Sequence, residues 1–211
     1  MTAEQGLRER KKAQTRQAIA EAAQRLFAER GFDAVTVAEV AREADVSQGT
    51  VFNYFPTKEE LFYSGMVVFE AELVEAVRER ASGESAVAAF RRFVLEGTAR
   101  LAREDVADVI ARAGRVITAS PALRARERAI VAEYTDALAA LLAEETGAGG
   151  DDLEAWAVAT ALMGVQRALV AYVRESVLAG RRGPPLAADA KAQGERAFAR
   201  LERGLADYAI K

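Results

Sequence analysis

Apolar residues recur along most of this chain at helical spacing, and no segment alternates over the length of a strand. Ile19, Ala22, Ala23, Leu26 and Phe27 mark a first helix running from about Ala13 to Gly31-Phe32. There a glycine able to turn left-handed precedes an apolar residue that can fold back onto the helix. Residues 1 to about 10 are expected to fray or form a loose helical arm. Val37, Val40, Ala41 and Ala44 form one stripe of a short second helix, opened by Thr36 with Glu39 three residues on, the pattern of a capping box. Asp45-Val46 makes a tight break, and Ser47 caps a third helix whose expected buried side is Val51, Phe52 and Phe55. Pro56 ends that helix, because its ring disfavours helical geometry at Phe55 and it has no N–H to donate. Thr57 and Glu60 make a second capping box, from which a long helix carries Leu61, Phe62, Met66, Phe69, Leu73 and Val77 to about Arg80.

The remainder continues in alanine-rich periodic segments. Helices are expected from Ser85 to about Arg103, from Val106 to about Thr118, and from Pro121 to Gly147. Asp151-Asp152 should cap an apolar helix reaching about Ala179. Gly180 to Pro185 reads as an exposed linker, and Ala188 to Tyr208 as the last helix. The prediction is an all-α chain of about nine helices, with a three-helix amino-terminal domain over residues 1–60 and a helical domain over 61–211.

Composition narrows the chemistry. The chain has 211 residues, half of them apolar, and contains neither cysteine nor histidine. Disulfides, thiolate nucleophiles, common zinc sites and Ser-His or Cys-His catalysis are thereby excluded, and no metal or cofactor is expected. An all-α enzyme working through carboxylates alone stays as a remote alternative. Net charge is −3, yet Arg8, Arg10, Lys11, Lys12 and Arg16 gather near the amino terminus. An acidic body with one basic region suits local binding to a polyanion better than general coating by it. The basic start lacks the apolar run of a secretory signal, so a cytoplasmic protein is expected. Trp156 to Val173 is apolar enough to suggest a membrane span, but Gln166-Arg167 sits near its middle and acidic residues flank it. A helix buried in protein is the better expectation.

Two short helices joined by a three- or four-residue turn, then a proline break and a capped helix, form a helix-turn-helix pattern. Gln48, Thr50, Asn53 and Tyr54 fall off the buried side of its second helix, an amide, hydroxyl and phenol face suited to base edges and phosphates. The stretch GFDAVTVAEVAREADVSQGTVFNYFPTKEELF resembles the amino-terminal DNA-binding domain of the TetR family of bacterial transcriptional regulators. The likeness runs from about Thr15 to Phe62. Gln48 stands where the family often carries a basic residue, and Phe52 where it often carries Tyr. The resemblance implies that Thr15, Arg16 and Thr36 touch the phosphate backbone, with Ser47, Gln48, Gly49, Thr50, Asn53, Tyr54 and Lys58 completing the DNA-binding set.

The same resemblance implies a homodimer on a palindromic operator and a body that encloses a small, mostly apolar ligand. Two half-sites by themselves call for two reading heads. An apolar helix over 156–173 with the last helix supplies a dimer surface made of Trp156, Leu162, Val165, Leu169, Tyr172, Val173, Phe198, Leu201 and Leu205. Polar residues set in apolar helices, Arg112, Arg115, Thr118, Gln166 and Arg167, are candidate ligand partners, with Phe69, Phe93, Tyr134, Trp156 and Met163 as candidate walls. The run from Arg112 to Tyr134 also resembles a TetR subgroup associated with acyl-coenzyme A-like ligands. The expected function is a repressor released by its ligand. The alternatives are a ligand-independent regulator or activator and, remotely, the enzyme.

Overall fold

The computed structural model describes residues 3–64, 67–148 and 153–205. Among them are ten α-helices, one 3-10 turn and no strand. The chain packs as two compact units. One holds the described residues up to Val68 together with Val116–Arg126, and the other holds Phe69–Arg115 and the described residues from Glu127 onward.

In the first unit, α1 (Ala3–Arg30), α2 (Val37–Glu43), α3 (Gln48–Tyr54) and α4 (Lys58–Tyr63) follow in order. Helix α1 begins well before Ala13 and takes in the basic region as helix. It stops at Gly31, which turns left-handed at φ +80 while its N–H donates to the Phe27 carbonyl at 3.0 Å. Phe32 then folds back as expected, its ring centroid 5.2 Å from that of Phe27. Phe62 lies 5.8 Å from both rings and 5.1 Å from Tyr63, so four aromatic side chains tie α1, the following loop and α4 together. Ile19, Ala23, Val35, Val40, Val51, Phe55 and Leu61 complete an apolar centre. Fully burying each large side chain contributes about 1.5–3 kcal/mol.

The turn of chain at Val116–Arg126, the end of α7 (Glu104–Ala119) and start of α8 (Pro121–Thr146), enters this same centre. Ile117 and Leu123 are buried, the Tyr63 hydroxyl donates to the Leu123 carbonyl at 3.0 Å, and Ser120 Oγ donates to Asp33 at 3.2 Å. No sequence signal had assigned this segment to the amino-terminal unit.

The second unit is built from most of α5 (Val67–Arg78), α6 (Ala86–Gly97), the 3-10 turn Thr98–Ala102, the rest of α7 and α8, α9 (Leu153–Leu178) and α10 (Gly183–Leu205). Leu73, Val77, Val87, Phe90, Leu138, Leu142, Leu162 and Phe198 form its core, with the Phe90 and Phe198 rings edge to face at 6.0 Å. Helix α10 packs on the 3-10 turn, α9 and α6. Arg80 is buried at the end of α5, where it donates to the Val77 and Glu84 carbonyls and pairs with Glu145 at 2.6 Å.

Several expected boundaries move. The long helix after Pro56 is described in two stretches, α4 and α5, and Gly65 and Met66 lie outside the described residues. The helix expected to reach Arg103 becomes 3-10 at Thr98, whose buried hydroxyl donates back to the Leu95 carbonyl at 2.6 Å. The expected linker at 180–185 is shorter, because Pro184 and Pro185 sit in the first turn of α10, where a missing N–H costs no helical bond. Asp151-Asp152 and Tyr208 lie outside the described residues.

Candidate nucleic-acid interface

The reading geometry rests on local chemistry at three helix ends. Thr36 caps α2 in a complete capping box: its side chain accepts from the Glu39 N–H while its own N–H donates to Glu39 Oε2 at 2.8 Å. Arg30 adds an ion pair to Glu39 at 2.8 Å. The Thr36 backbone N–H, then the Thr36 hydroxyl, then Arg30 stabilise the charged form, so the Glu39 carboxyl falls to about 2.

Helix α2 ends in a Schellman arrangement, with the Val46 N–H on the Ala41 carbonyl at 2.9 Å and the Asp45 N–H on the Arg42 carbonyl at 3.3 Å. The left-handed residue there is Asp45, at φ 53. Helices α8 and α9 close with the same two bonds but place Gly147 and Gly180 at that position. Asp tolerates this conformation better than most side chains, which lets the turn stay short without a glycine.

Ser47 then caps α3 by accepting from the Thr50 N–H at 3.0 Å, and the two hydroxyls hydrogen-bond each other at 2.8 Å. Gln48, Gly49 and Asn53 are exposed, Thr50 and Tyr54 are half-buried, and Val51 and Phe55 face inward. Phe52 departs from expectation. It is 45% exposed and lies on the outer face with Gln48 and Asn53, because only the i and i+4 pair Val51 and Phe55 can share the inward line of a helix this short. At α4, the Thr57 side chain accepts from the Glu60 N–H at 3.1 Å, which supplies one half of the expected capping box.

Arg16 connects α1 to this helix. Its guanidinium donates to the Tyr54 carbonyl at 3.2 Å and lies 4.4 Å from the centroid of the Phe55 ring, so it closes the C-terminal end of α3. The side chain is otherwise exposed, as are Arg8, Arg10, Lys11 and Lys12 on the same helix. Thr15 donates to its own helix, at the Lys11 carbonyl. Lys58 is half-buried with its ammonium 4.2 Å from the centre of the Phe32 ring. Burial lowers its pKa, and the carboxylates of Asp33, Glu59 and Glu39 oppose the shift.

The residues nominated in the body are more dispersed. Phe69 and Phe93 are half-buried and pack ring on ring at 5.2 Å. Met163 and Gln166 are buried along α9, and Tyr134 is half-buried. Arg112, Arg115, Arg167 and Trp156 lie on the surface of the single chain. Of the nominated contact residues, Leu162, Leu169, Val173 and Phe198 are buried in their own core, while Val165, Tyr172 and Leu201 are half-buried. Only the backbone of Leu205 is described. An open groove of about 540 Å³ runs between α6, the 3-10 turn and α10, lined by Leu95, Thr98, Ala99, Ala187 and Ala188, with Arg92, Glu96 and Lys191 around them. None of the nominated ligand residues lines it.

Helix α9 is long and apolar enough to cross a membrane by length and composition. It buries Ala155, Val158, Ala159, Leu162, Gln166, Leu169, Val173 and Val177 on one stripe in its own unit. Leu153 (75%), Trp156 (51%), Val170 and Leu178 stay exposed.

Capped helices across a Schellman turn, with an exposed amide-bearing face on the second, define a helix-turn-helix protein. The description "Bacterial regulatory proteins, tetR family" matches residues 19–64, and "MftR C-terminal domain" matches residues 84–206. The chain belongs to the TetR family of bacterial regulatory proteins, with a carboxyl-terminal domain of the MftR type. It is 27% identical over 170 residues to MftR of Mycobacterium tuberculosis, named as a mycofactocin biosynthesis transcriptional regulator, a match covering 77% of this chain and 80% of that one. In two shorter matches, to helix-turn-helix regulators of Bacillus subtilis and Streptomyces glaucescens, the chain spans only 26% and 35% of the relatives' length.

Among solved structures, native NalD of Pseudomonas aeruginosa, the secondary repressor of the MexAB-OprM multidrug efflux pump, shares the fold. Its TM-score is 0.59 at 23% identity, over 92% of this chain and 98% of that one. The regulator FadR of Bacillus subtilis, solved with stearoyl-CoA, has a TM-score of 0.50 at 23% identity, over 86% of this chain and 97% of that one.

Proposed function

We propose that this chain is a cytoplasmic transcriptional repressor that binds a palindromic operator as a homodimer and leaves it when a small, mostly apolar ligand binds the body. The observation that carries the DNA-binding part is the outward face of α3. Gln48, Gly49 and Asn53 are solvent-exposed on a helix whose two ends are fixed by Ser47 and Arg16. Buried amides need partners, but exposed ones on a short, rigidly held helix are free to meet base edges. Arg8, Arg10, Lys11, Lys12 and Arg16 on α1, with Lys58, supply the phosphate-binding charge.

The apolar residues left exposed on α9, Leu153, Trp156, Val170 and Leu178, support the dimer. A second copy would cover them and would bring the second reading head that a two-fold operator requires. On this reading the partner surface is the outer stripe of α9, with Trp156 toward its amino-terminal end.

Repression, rather than activation, fits the role named for NalD, and the acyl-coenzyme A arm of the ligand reading fits the complex named for FadR. The test begins with genomic fragments retarded by the purified protein, followed by footprinting and a size measurement of the complex. A palindromic footprint holding two chains, released by a compound that also raises the melting temperature, is the expected result. Ligand at a hundredfold over its dissociation constant adds about 2.7 kcal/mol to stability. A protein that retards no fragment, or binds as one chain, refutes the proposal.

A further inference from the structure

We propose that Phe52 reads a thymine methyl group, so that part of the operator preference is set by an apolar contact rather than by a hydrogen bond. The inference rests on the DNA-binding reading of α3 and adds to it the residue and the base feature involved.

Phe52 is a large apolar side chain left 45% exposed on a seven-residue helix whose other outward residues are Gln48, Gly49 and Asn53. Val51 and Phe55 already fill the inward line, so the ring has no place in the core. It has no donor or acceptor, and therefore cannot grip a phosphate oxygen as a tyrosine hydroxyl could. On a helix, Gln48 and Gly49 are its neighbours at i−4 and i−3. Gly49 has no side chain, and a Cβ built there would meet only Ser47 Oγ, at 3.8 Å. One flank of the ring is therefore open beside an amide that can itself address a base edge. In the major groove the one apolar group a base pair offers is the C5 methyl of thymine, and phenylalanine is among the side chains that recognise it. An open apolar ring beside an exposed glutamine suits a thymine adjacent to a base held by Gln48.

The occupant is thus a methyl group on double-stranded DNA, and the experiment removes that methyl alone. In a fragment that the protein retards, each thymine of the footprinted half-sites is replaced in turn by deoxyuridine, and dissociation constants are measured at fixed salt. Burying one methyl-sized group contributes about 0.8 kcal/mol, so one position per half-site should cost the wild-type chain about fourfold, and both together about fifteenfold. Phe52→Ala should bind more weakly, be indifferent to the same deoxyuridine, and keep the wild-type salt slope, since no phosphate contact is lost. Gly49→Ala, which narrows the open flank without removing the ring, should also reduce the deoxyuridine penalty while raising helix stability. Circular-dichroism melts of both variants establish that they fold.

If wild-type protein binds the fragment but ignores every deoxyuridine, or if Phe52→Ala keeps the full penalty, the contact proposed here is wrong while the DNA-binding reading stands. A wild-type chain that retards no DNA overturns both.

Discussion

Arg16 offers a test in which a structural role and a DNA-binding role give different signals. Replacing it with alanine removes a charge-assisted hydrogen bond to the Tyr54 carbonyl and a cation placed 4.4 Å from the Phe55 ring centroid. A hydrogen bond to a charged group is worth about 1.5–3 kcal/mol and an exposed cation–π contact about 0.5–1 kcal/mol. Because the side chain is exposed and water replaces part of what is lost, a net destabilisation of about 1–2 kcal/mol is expected. The guanidinium carries five N–H donors in all, so the bond to Tyr54 leaves others available to a phosphate. If Arg16 neutralises one phosphate in each of two half-sites, Arg16→Ala should lower the slope of log affinity against log salt by about 1.8.

Fluorescence anisotropy over a range of salt concentrations, together with urea denaturation, measures both quantities on the same protein. Arg16→Met, which keeps an apolar stem on Phe55 but no charge, should recover part of the stability and none of the slope. A slope equal to the wild-type value would show that Arg16 only ties α1 to α3. Unchanged stability would show that the observed contact does not hold α3 in place.

Further outcomes follow from the second unit. Gly194 lies where an added Cβ would sit 2.7 Å from Leu95 Cδ2 and 3.5 Å from Leu169 Cδ2. Overpacking of about 1–3 kcal/mol should therefore exceed the gain of up to about 1 kcal/mol from helix propensity in Gly194→Ala. Urea melts should show the variant destabilised, and pairing it with Leu95→Val should recover part of the loss; a more stable single variant contradicts the packing. The Glu70 carboxyl is raised from 4.5 to about 6, chiefly by burial, with Glu127 adding repulsion. Its Oε2 is buried without a hydrogen-bond partner among the described residues. The folded state therefore holds this proton more tightly than the unfolded chain, a contribution complete below about pH 4.5 and lost as pH rises through about 6. Discounted for partial hydration, Glu70→Gln should gain about 1 kcal/mol on the wild type between pH 5 and 7.5. Parallel melting curves at the two pH values would refute this.

Much of the reading head was legible in the chain because its information is local. Thr36, Ser47 and Thr57 cap the next helix through atoms three residues away, Gly31 ends α1 through a bond four residues back, and Pro56 acts on its immediate neighbour. Such rules operate within one turn of helix, and spacing alone exposes them. Phe52 shows their limit: apolar character argues for burial, but the 100° step between successive residues and the prior claim of Val51 and Phe55 send it outward.

What only the tertiary structure decided is which distant parts share a core. Val116–Arg126 joins the amino-terminal unit through Tyr63, Asp33, Ile117 and Leu123, and Arg16 reaches the end of α3 across 38 residues of sequence. On α9 the pattern was apolar almost all round, and packing chose the stripe that includes Leu162, Leu169 and Val173 for the interior while leaving Trp156 and Val170 outside. Periodicity says that a face must be covered but not by what, because hydrophobic attraction is non-directional and the choice among apolar faces falls to shape and steric fit.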